Sequence, residues 1–183
     1  MSITVAKSAG FCFGVNRAIN IVNSLLDKNV KVSTLGPIIH NMEVVNELES
    51  RGCKAVDNID EVEKDATLVI RSHGVPKYVI DKLDENGVKY EDATCPFVKK
   101  IHNIVANPDN KDGIVLIAGN SVHPEVEGII GHCSTECHTF KNSEEIDEIY
   151  NNILKKNNKQ VFVVAQTTFD TKEWKKCVKK IKK

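Results

Sequence analysis

The chain has 183 residues, 41% of them hydrophobic and 27% charged, and its 25 basic residues balance 25 acidic ones. This composition fits one globular domain or two small ones, and a net charge of zero provides no broad basic field for binding nucleic acid. The longest apolar runs, residues 114–118 and 161–165, are far shorter than the about 20 residues of a membrane-spanning helix, and no secretory leader opens the sequence, so we expect a cytoplasmic protein.

Short β-branched runs alternate with longer amphipathic stretches, a pattern typical of a βαβ protein with largely parallel sheets. We predict strands near residues 3–6, 31–35, 67–71, 88–91, 114–118 and 160–165. Apolar residues at three-and-four spacing predict helices over 15–26, 42–48, 78–83, 146–154 and 174–181. Pro76, Pro96 and Pro124 mark helix starts. The most polar connector, residues 107–113, is where we expect two α/β units to be joined.

Three predicted strand-to-helix junctions, at residues 36–41, 71–76 and 119–124, each place a histidine just before a helix. Ligands of open parallel sheets bind outside the carboxyl ends of the strands. We therefore expect His40, His73 and His123 to lie at ligand-binding edges. Thr167 follows the last predicted strand in the same way. The alternative interpretation of this segment is capping of the next helix, which Thr168, Asp170 or Thr171 could share.

Glu125 stands two residues after His123 at one of these junctions. A histidine there can donate to phosphate oxygens or relay a proton, and a carboxyl group held in a partly dry pocket can act as a general acid. An acidic first helical turn, stabilised only by the helix dipole, is the alternative interpretation.

Six cysteines in a chain without a secretory leader favour free thiols over disulfides. Cys12 lies between Gly10 and Gly14 at the start of the first helix, where the helix dipole favours a thiolate; a small residue in a cramped turn is the alternative. Cys95 precedes a proline-started helix 83 residues later. This spacing excludes a ferredoxin-type run and a zinc ribbon, but it is compatible with a metal or cluster site assembled by folding.

The other cysteines give weaker signals. Cys133 and Cys137 have the spacing of zinc ligands, but no second ligand pair lies near them in the sequence, which argues against a structural zinc site. Cys53 and Cys177 are predicted to be packing residues.

Five segments resemble one known family when they are taken together and in order. They are Gly-Phe-Cys-Phe-Gly-Val at residues 10–15 with Arg17-Ala18, Ser-His-Gly-Val at 72–75, Asp-Ala-Thr-Cys-Pro at 92–96, His-Pro-Glu-Val-Glu-Gly at 123–128, and Gln-Thr-Thr at 166–168. The sequence is similar in these segments to the LytB/IspH family of 4-hydroxy-3-methylbut-2-enyl diphosphate reductases.

The resemblance implies an α/β fold of two similar units with largely parallel sheets, which is two thirds of a three-unit, trefoil-like architecture. It implies domains at residues 1–96 and 97–183, with the family's third domain and third cysteine absent. The implied activity is iron–sulfur-dependent reductive removal of an allylic hydroxyl, which gives isopentenyl diphosphate and dimethylallyl diphosphate in non-mevalonate isoprenoid biosynthesis.

The resemblance also implies roles for individual residues. Cys12 and Cys95 are expected to ligate a 4Fe-4S cluster, and Glu125 to deliver a proton. Substrate contacts are implied for four more residues: His40, His73, His123 and Thr167. The implied partners are an allylic diphosphate substrate and a ferredoxin or flavodoxin electron donor, without nucleic acid or membrane. An inactive two-domain fragment that binds diphosphates without redox chemistry is the alternative.

Overall fold

The computed structural model describes residues 2–106, 112–156 and 158–182, which fold as an α/β protein. The helices within these residues are α1 (Phe13–Leu26), α2 (Met42–Ser50), α3 (Lys77–Glu85), α4 (Pro96–Ala106), α5 (Pro124–His132), α6 (Glu145–Asn152) and α7 (Thr171–Ile181). The strands are β1 (Val32–Leu35), β2 (Cys53–Val56), β3 (Thr67–Ile70), β4 (Tyr90–Asp92), β5 (Ile114–Ala118), β6 (Glu136–Phe140) and β7 (Val161–Ala165). Single 3₁₀ turns lie at Ile59–Glu61 and Leu154–Lys156.

The first compact unit, unit 1, contains the described residues up to Ser72 together with Val88–Cys95. Its sheet has four parallel strands in the order β2-β1-β3-β4. Ala18 and Val22, one helical turn apart on α1, are fully buried and belong to the same core cluster as Val69 of β3. The apolar stripe predicted from residue spacing is therefore the face that α1 buries.

The second compact unit, unit 2, contains His73–Gly87 and the described residues from Pro96 onward. Its three parallel strands have the order β6-β5-β7. All five residues of the central strand β5 are completely buried, because Val115 and Ile117 belong to one core cluster while Ile114, Leu116 and Ala118 belong to another. A parallel strand covered on both faces has a continuous apolar sequence of this kind.

Helix starts follow local signals in the sequence. The side chains of Asn41 and Asp170 accept hydrogen bonds from backbone N–H groups in the first turns of α2 and α7, which satisfies donors that a helix leaves unpaired. Pro96 and Pro124 are the first residues of α4 and α5, and Pro76 directly precedes α3. The predicted role of the prolines as markers of helix starts is confirmed.

Most predicted strands are confirmed, but the strand predicted at residues 3–6 is wrong. Residues 2–6 form no strand, and Ile3 and Val5 are 91% and 74% exposed, because β-branched residues form a strand only where another strand pairs with them. Strands β2 and β6 were not predicted. Residues 107–111 of the expected connector lie outside the described residues, and the expected domain limits at 96 and 97 stay a prediction.

The two sheets share one topology. In each unit the first strand is central, the second lies on one side of it, and the third lies on the other side. The strand order therefore reverses between β1 and β3 in unit 1, and between β5 and β7 in unit 2. This reversal is where α/β sheets bind ligands. Among the described residues, no helix has the length and apolar character needed to cross a membrane.

Candidate functional site

A buried carboxylate and a hydroxyl group are joined at the carboxyl edge of the second sheet. Glu125, in the first turn of α5, is only 2% exposed, and its Oε1 accepts a hydrogen bond of 2.6 Å from the backbone N–H of Thr167. The Thr167 hydroxyl donates to Oε2 at 2.8 Å. A buried carboxylate is costly unless its oxygens are hydrogen-bonded, so these two contacts hold the Glu125 side chain in one orientation.

This pair lies where parallel α/β sheets of this topology generally bind ligands. Glu125 follows β5, Thr167 follows β7, and the strand order reverses between these two neighbouring strands. The hydrogen bonds therefore span the crevice that the topology creates. Thr167 is exposed at this edge while Glu125 is buried beneath it, so the hydroxyl lies between the carboxylate and solvent.

His123 caps the N-terminus of α5 with its ring. Its Nδ1 accepts a hydrogen bond of 3.1 Å from the backbone N–H of Glu125. An imidazole nitrogen that accepts a hydrogen bond carries no proton, so the proton of the neutral ring lies on Nε2. The His123 ring thus lies at a helix end whose dipole favours anions.

His73 is the second histidine at this edge of unit 2. Its ring and that of His123 have centroids 5.6 Å apart and planes at 82°. Gly128 of α5 lies next to the same segment: a Cβ there would be in ordinary contact with the His73 carbonyl oxygen at 3.6 Å, and in a tighter contact with His102 Nε2 at 3.3 Å. Unit 2 therefore brings together four of the predicted site residues: His73, His123, Glu125 and Thr167.

Unit 1 carries the two predicted thiol ligands. Cys12 directly precedes α1, is exposed, and makes no side-chain hydrogen bond to the helix it opens. Cys95 is partly buried, and its backbone N–H donates to the Ser72 carbonyl at 2.9 Å. A Cβ built on Gly14 would lie 2.6 Å from Cys95 Sγ. The start of α1 can approach Cys95 closely because residue 14 is a glycine and has no side chain. Cysteine sulfur is a soft ligand of the kind that iron–sulfur clusters require, and this unit carries two such cysteines.

Arg17 stabilises this arrangement through contacts that could not be predicted from the sequence. Its Nη2 donates to the carbonyl oxygen of Asp92 at 3.1 Å, and its Nη1 donates to that of Thr94 at 3.3 Å. The Asp92 side chain in turn accepts from the Thr94 N–H at 2.9 Å. The guanidinium thus ties α1, just after Cys12, to the backbone just before Cys95.

Replacing Gly14 by alanine is expected to destabilise unit 1. The added methyl group would overlap Cys95 Sγ, and overpacking of a filled site costs about 1–3 kcal/mol. Urea unfolding of the Gly14→Ala chain measures this loss. Asn20→Ala, at an exposed position of the same helix, serves as the control and should change stability by no more than about 0.5 kcal/mol. Equal stability of the two variants would contradict the close contact.

The remaining predicted residues are placed as follows. His40 is exposed in unit 1, between β1 and α2. Cys53 and Cys177 are buried in the cores, as predicted. Burial raises the pKa of the Cys53 thiol to about 11 and raises that of Cys177.

No set of three ligating side chains among the described residues includes Cys133 or Cys137. The zinc hypothesis for these two cysteines therefore lacks the further ligands that it requires.

Fold and site together define an α/β protein that presents a carboxylate, a hydroxyl and histidines in one unit and two thiols in the other. The model of the LytB protein family matches residues 3–183. The chain therefore belongs to the LytB family.

Relatives and solved structures agree with this assignment. The 4-hydroxy-3-methylbut-2-enyl diphosphate reductases of Clostridioides difficile and Alkaliphilus oremlandii are 40% and 42% identical to the chain over 93% of its length. A solved (E)-4-hydroxy-3-methyl-but-2-enyl diphosphate reductase, the terminal enzyme of the non-mevalonate pathway, matches with a TM-score of 0.83 and 37% identity, over 98% of this chain and 63% of that one. A Plasmodium falciparum E-1-hydroxy-2-methyl-but-2-enyl-4-diphosphate reductase matches with a TM-score of 0.82 and 29% identity, over 96% and 54%. The chain spans 60% of the length of each of the two bacterial relatives.

Proposed function

We propose that this chain provides two α/β units of a 4-hydroxy-3-methylbut-2-enyl diphosphate reductase. The reaction removes an allylic hydroxyl group with two electrons and two protons, and it gives isopentenyl and dimethylallyl diphosphates. The observation that carries the proposal is the buried Glu125 carboxylate held by both the N–H and the hydroxyl of Thr167. A reductive dehydroxylation needs a proton source beside the substrate, and this pair is suited to that task.

We propose Cys12 and Cys95 as ligands of a 4Fe-4S cluster. The contact between Gly14 and Cys95, and the absence of a capping bond from the Cys12 thiol, support this assignment. When bound, the cluster would supply electrons and a Lewis-acidic iron. The chain's own contribution is to position the two sulfur ligands, Cys12 directly before α1 and Cys95 directly before α4. A ferredoxin or flavodoxin is the electron donor that we propose.

In this proposal Glu125 and Thr167 transfer the proton that the reaction requires. Glu125 carries it on a carboxylate oxygen, and the Thr167 hydroxyl, which already donates to Oε2, can accept it and pass its own proton onward. A hydroxyl is suited to such a relay because it is both donor and acceptor. The exposed position of Thr167 supports this role, because a substrate oxygen could approach the residue from solvent.

His73 and His123 would bind the substrate's polar groups. The imidazole of His123 and the N-terminus of α5 together favour an anionic oxygen, and His40 is proposed as a further contact. These donors can hydrogen-bond to a diphosphate without a broad basic surface, which agrees with the chain's net charge of zero.

The test of this function is anaerobic reconstitution with iron and sulfide, followed by Mössbauer spectra with and without the hydroxylated diphosphate. We expect a cluster whose spectrum shifts when the substrate is added, and formation of the two diphosphate products when a reductant is supplied. His123→Asn is the matched variant, because an asparagine oxygen can still cap α5 while the imidazole donor is lost. It should weaken substrate binding and leave iron content unchanged.

Two outcomes would decide against this function for the chain. A protein that retains no iron and sulfide would contradict the cluster assignment. If such a protein still binds the diphosphate and loses that binding in His123→Asn, the diphosphate-binding module without redox chemistry replaces the reductase as the better description.

A further inference from the structure

The segment that carries His73 lies against the side of α5, within unit 2. Two glycines of that helix, Gly128 and Gly131, face residues 73–76, which are called the His73 loop below. A Cβ on Gly128 would lie 3.6 Å from the His73 carbonyl oxygen, and one on Gly131 would lie 2.8 Å from the Cα atom of Pro76. Because glycine has no Cβ, the backbone of the loop can approach the helix closely.

His132, the last residue of α5, forms a hydrogen bond with the same loop. Its Nε2 lies 3.1 Å from the carbonyl oxygen of Val75. A carbonyl oxygen can only accept, so the imidazole is the donor. Val75 is 3% exposed, and a carbonyl group in a buried segment requires a donor. Since His132 is four residues after Gly128, both lie on the same face of α5, and the bond favours the docked position of the loop.

His102 of α4 supports the His132 ring from below. The two rings are stacked, with centroids 4.1 Å apart and planes at 20°, and His102 is 5% exposed. A ring that packs against a buried neighbour has little freedom to change rotamer. The direction in which His132 donates is therefore set by packing as well as by the hydrogen bond.

The position of the loop determines where the His73 ring lies in the candidate site. That ring is 5.6 Å from the ring of His123, which accepts a hydrogen bond from the N–H of Glu125 on α5. Val75 is two residues from His73, and Gly74 between them has φ +75°, which glycine adopts without strain. Helix α5 therefore carries His123 and Glu125 at its N-terminus and holds the His73 loop along its side.

We propose that His132 is a positioning residue for substrate binding, which acts through the Val75 carbonyl group and keeps His73 beside His123. His132 is about 10 Å along the helix from Glu125, so it is separate from the carboxylate and from the residues proposed to contact the substrate. The effect on the substrate rests on the proposed function, whereas the effect on the position of His73 does not.

Three variants separate the hydrogen bond from packing and from stability. His132→Phe keeps a ring against His102 and loses the donor, whereas His132→Gln loses the ring and supplies an amide donor at a similar reach. Ile129→Val is the matched control, because Ile129 is fully buried on the same helix and loss of a buried methyl group also destabilises the protein. Among the described residues, the core cluster of Ile129 includes none from the His73 loop.

The first measurement is NMR of the full chain with isotope-labelled histidine, before iron is added. We expect a nuclear Overhauser effect between the ring protons of His73 and His123 in the unchanged chain, in His132→Gln and in Ile129→Val. In His132→Phe this effect should be lost or weakened, and the ring resonances of His73 should move. The nitrogen shifts of His132 in the unchanged chain should show a proton on Nε2.

The second measurement is the affinity for the hydroxylated diphosphate at equal iron content. Apparent affinity follows the fraction of molecules whose loop is docked, and a hydrogen bond of this kind changes an equilibrium by about two- to tenfold. We therefore expect the dissociation constant to rise by up to about tenfold in His132→Phe and to stay unchanged in Ile129→Val. The rate at saturating substrate should stay within a factor of about two, because an effect on binding alone leaves kcat unchanged.

The proposal is overturned if His132→Phe retains the contact between the His73 and His123 rings, or if Ile129→Val weakens that contact equally. Failure of His132→Gln to restore the contact, or a His132 Nε2 without a proton, would also overturn it. If no form of the chain binds the diphosphate, the reductase function is contradicted, and the NMR spectra still decide whether His132 positions His73.

Discussion

Turnover of the reconstituted chain is expected to fall by about two to four orders of magnitude when Glu125 is replaced by glutamine, because an amide cannot deliver the proton of a carboxyl group. Glutamine has nearly the same shape, so the packing beneath Thr167 should persist. One of the two Thr167 contacts would then face an amide NH₂ group instead of a carboxylate oxygen. Iron content and substrate affinity should change little.

The measurement is the initial rate of product formation at equal iron content, with a chemical reductant as electron source. Glu127→Gln is the matched control, since Glu127 is in the same helical turn but exposed. Its turnover should stay within a factor of about two, as is usual for surface substitutions away from a site. Equal rates for the Glu125 variant and the unchanged chain would remove Glu125 from the proton-transfer role.

The second large effect is expected at the thiols of unit 1. Replacing Cys12 or Cys95 by serine should lower the iron and sulfide retained after anaerobic reconstitution by more than about tenfold, because a serine hydroxyl is a poor substitute for a thiolate ligand. Iron and sulfide are measured on the desalted protein, and circular dichroism verifies the fold.

Two other cysteines provide the controls for this experiment. Cys53 and Cys177 are buried, and burial raises the pKa of both thiols, so neither is suited to bind iron as a thiolate. Serine at either position should leave the iron content of the folded protein unchanged. If all four variants keep the same amount of iron, Cys12 and Cys95 are not the ligands.

The site residues that could be predicted from the sequence are those that come directly after the carboxyl ends of strands. Glu125 and Thr167 were both expected at carboxyl ends of strands, and the structure joins them directly. Their bond itself was not predictable, because the two residues are 42 positions apart and nothing local specifies the partner. The same holds for Arg17, whose acceptors are backbone carbonyl groups 75 and 77 residues away.

The missed strands have a common physical cause. Strands β2 and β6 each lie at the edge of a sheet, and they keep exposed polar residues such as Lys54 and Glu136. They therefore lack the continuous apolar run that identified β5. At residues 3–6, by contrast, a strand was predicted that the structure does not contain. A β-branched run has a local preference for the strand conformation whether or not another strand pairs with it.

The interleaved order of the two units has a consequence for synthesis of the chain on the ribosome. Helix α3 belongs to unit 2, yet β4, which follows it, completes the sheet of unit 1. Pro76, just before α3, packs tightly against Gly131 of α5. A Cβ added to Gly131 would lie 2.3 Å from the Cβ of Pro76. The growing chain must therefore leave α3 without its packing partner for on the order of several seconds, until α5 has been translated. Nascent unit 1 thus matures while an amphipathic helix is inserted in its sequence, and the packing partner of that helix has not yet been synthesised.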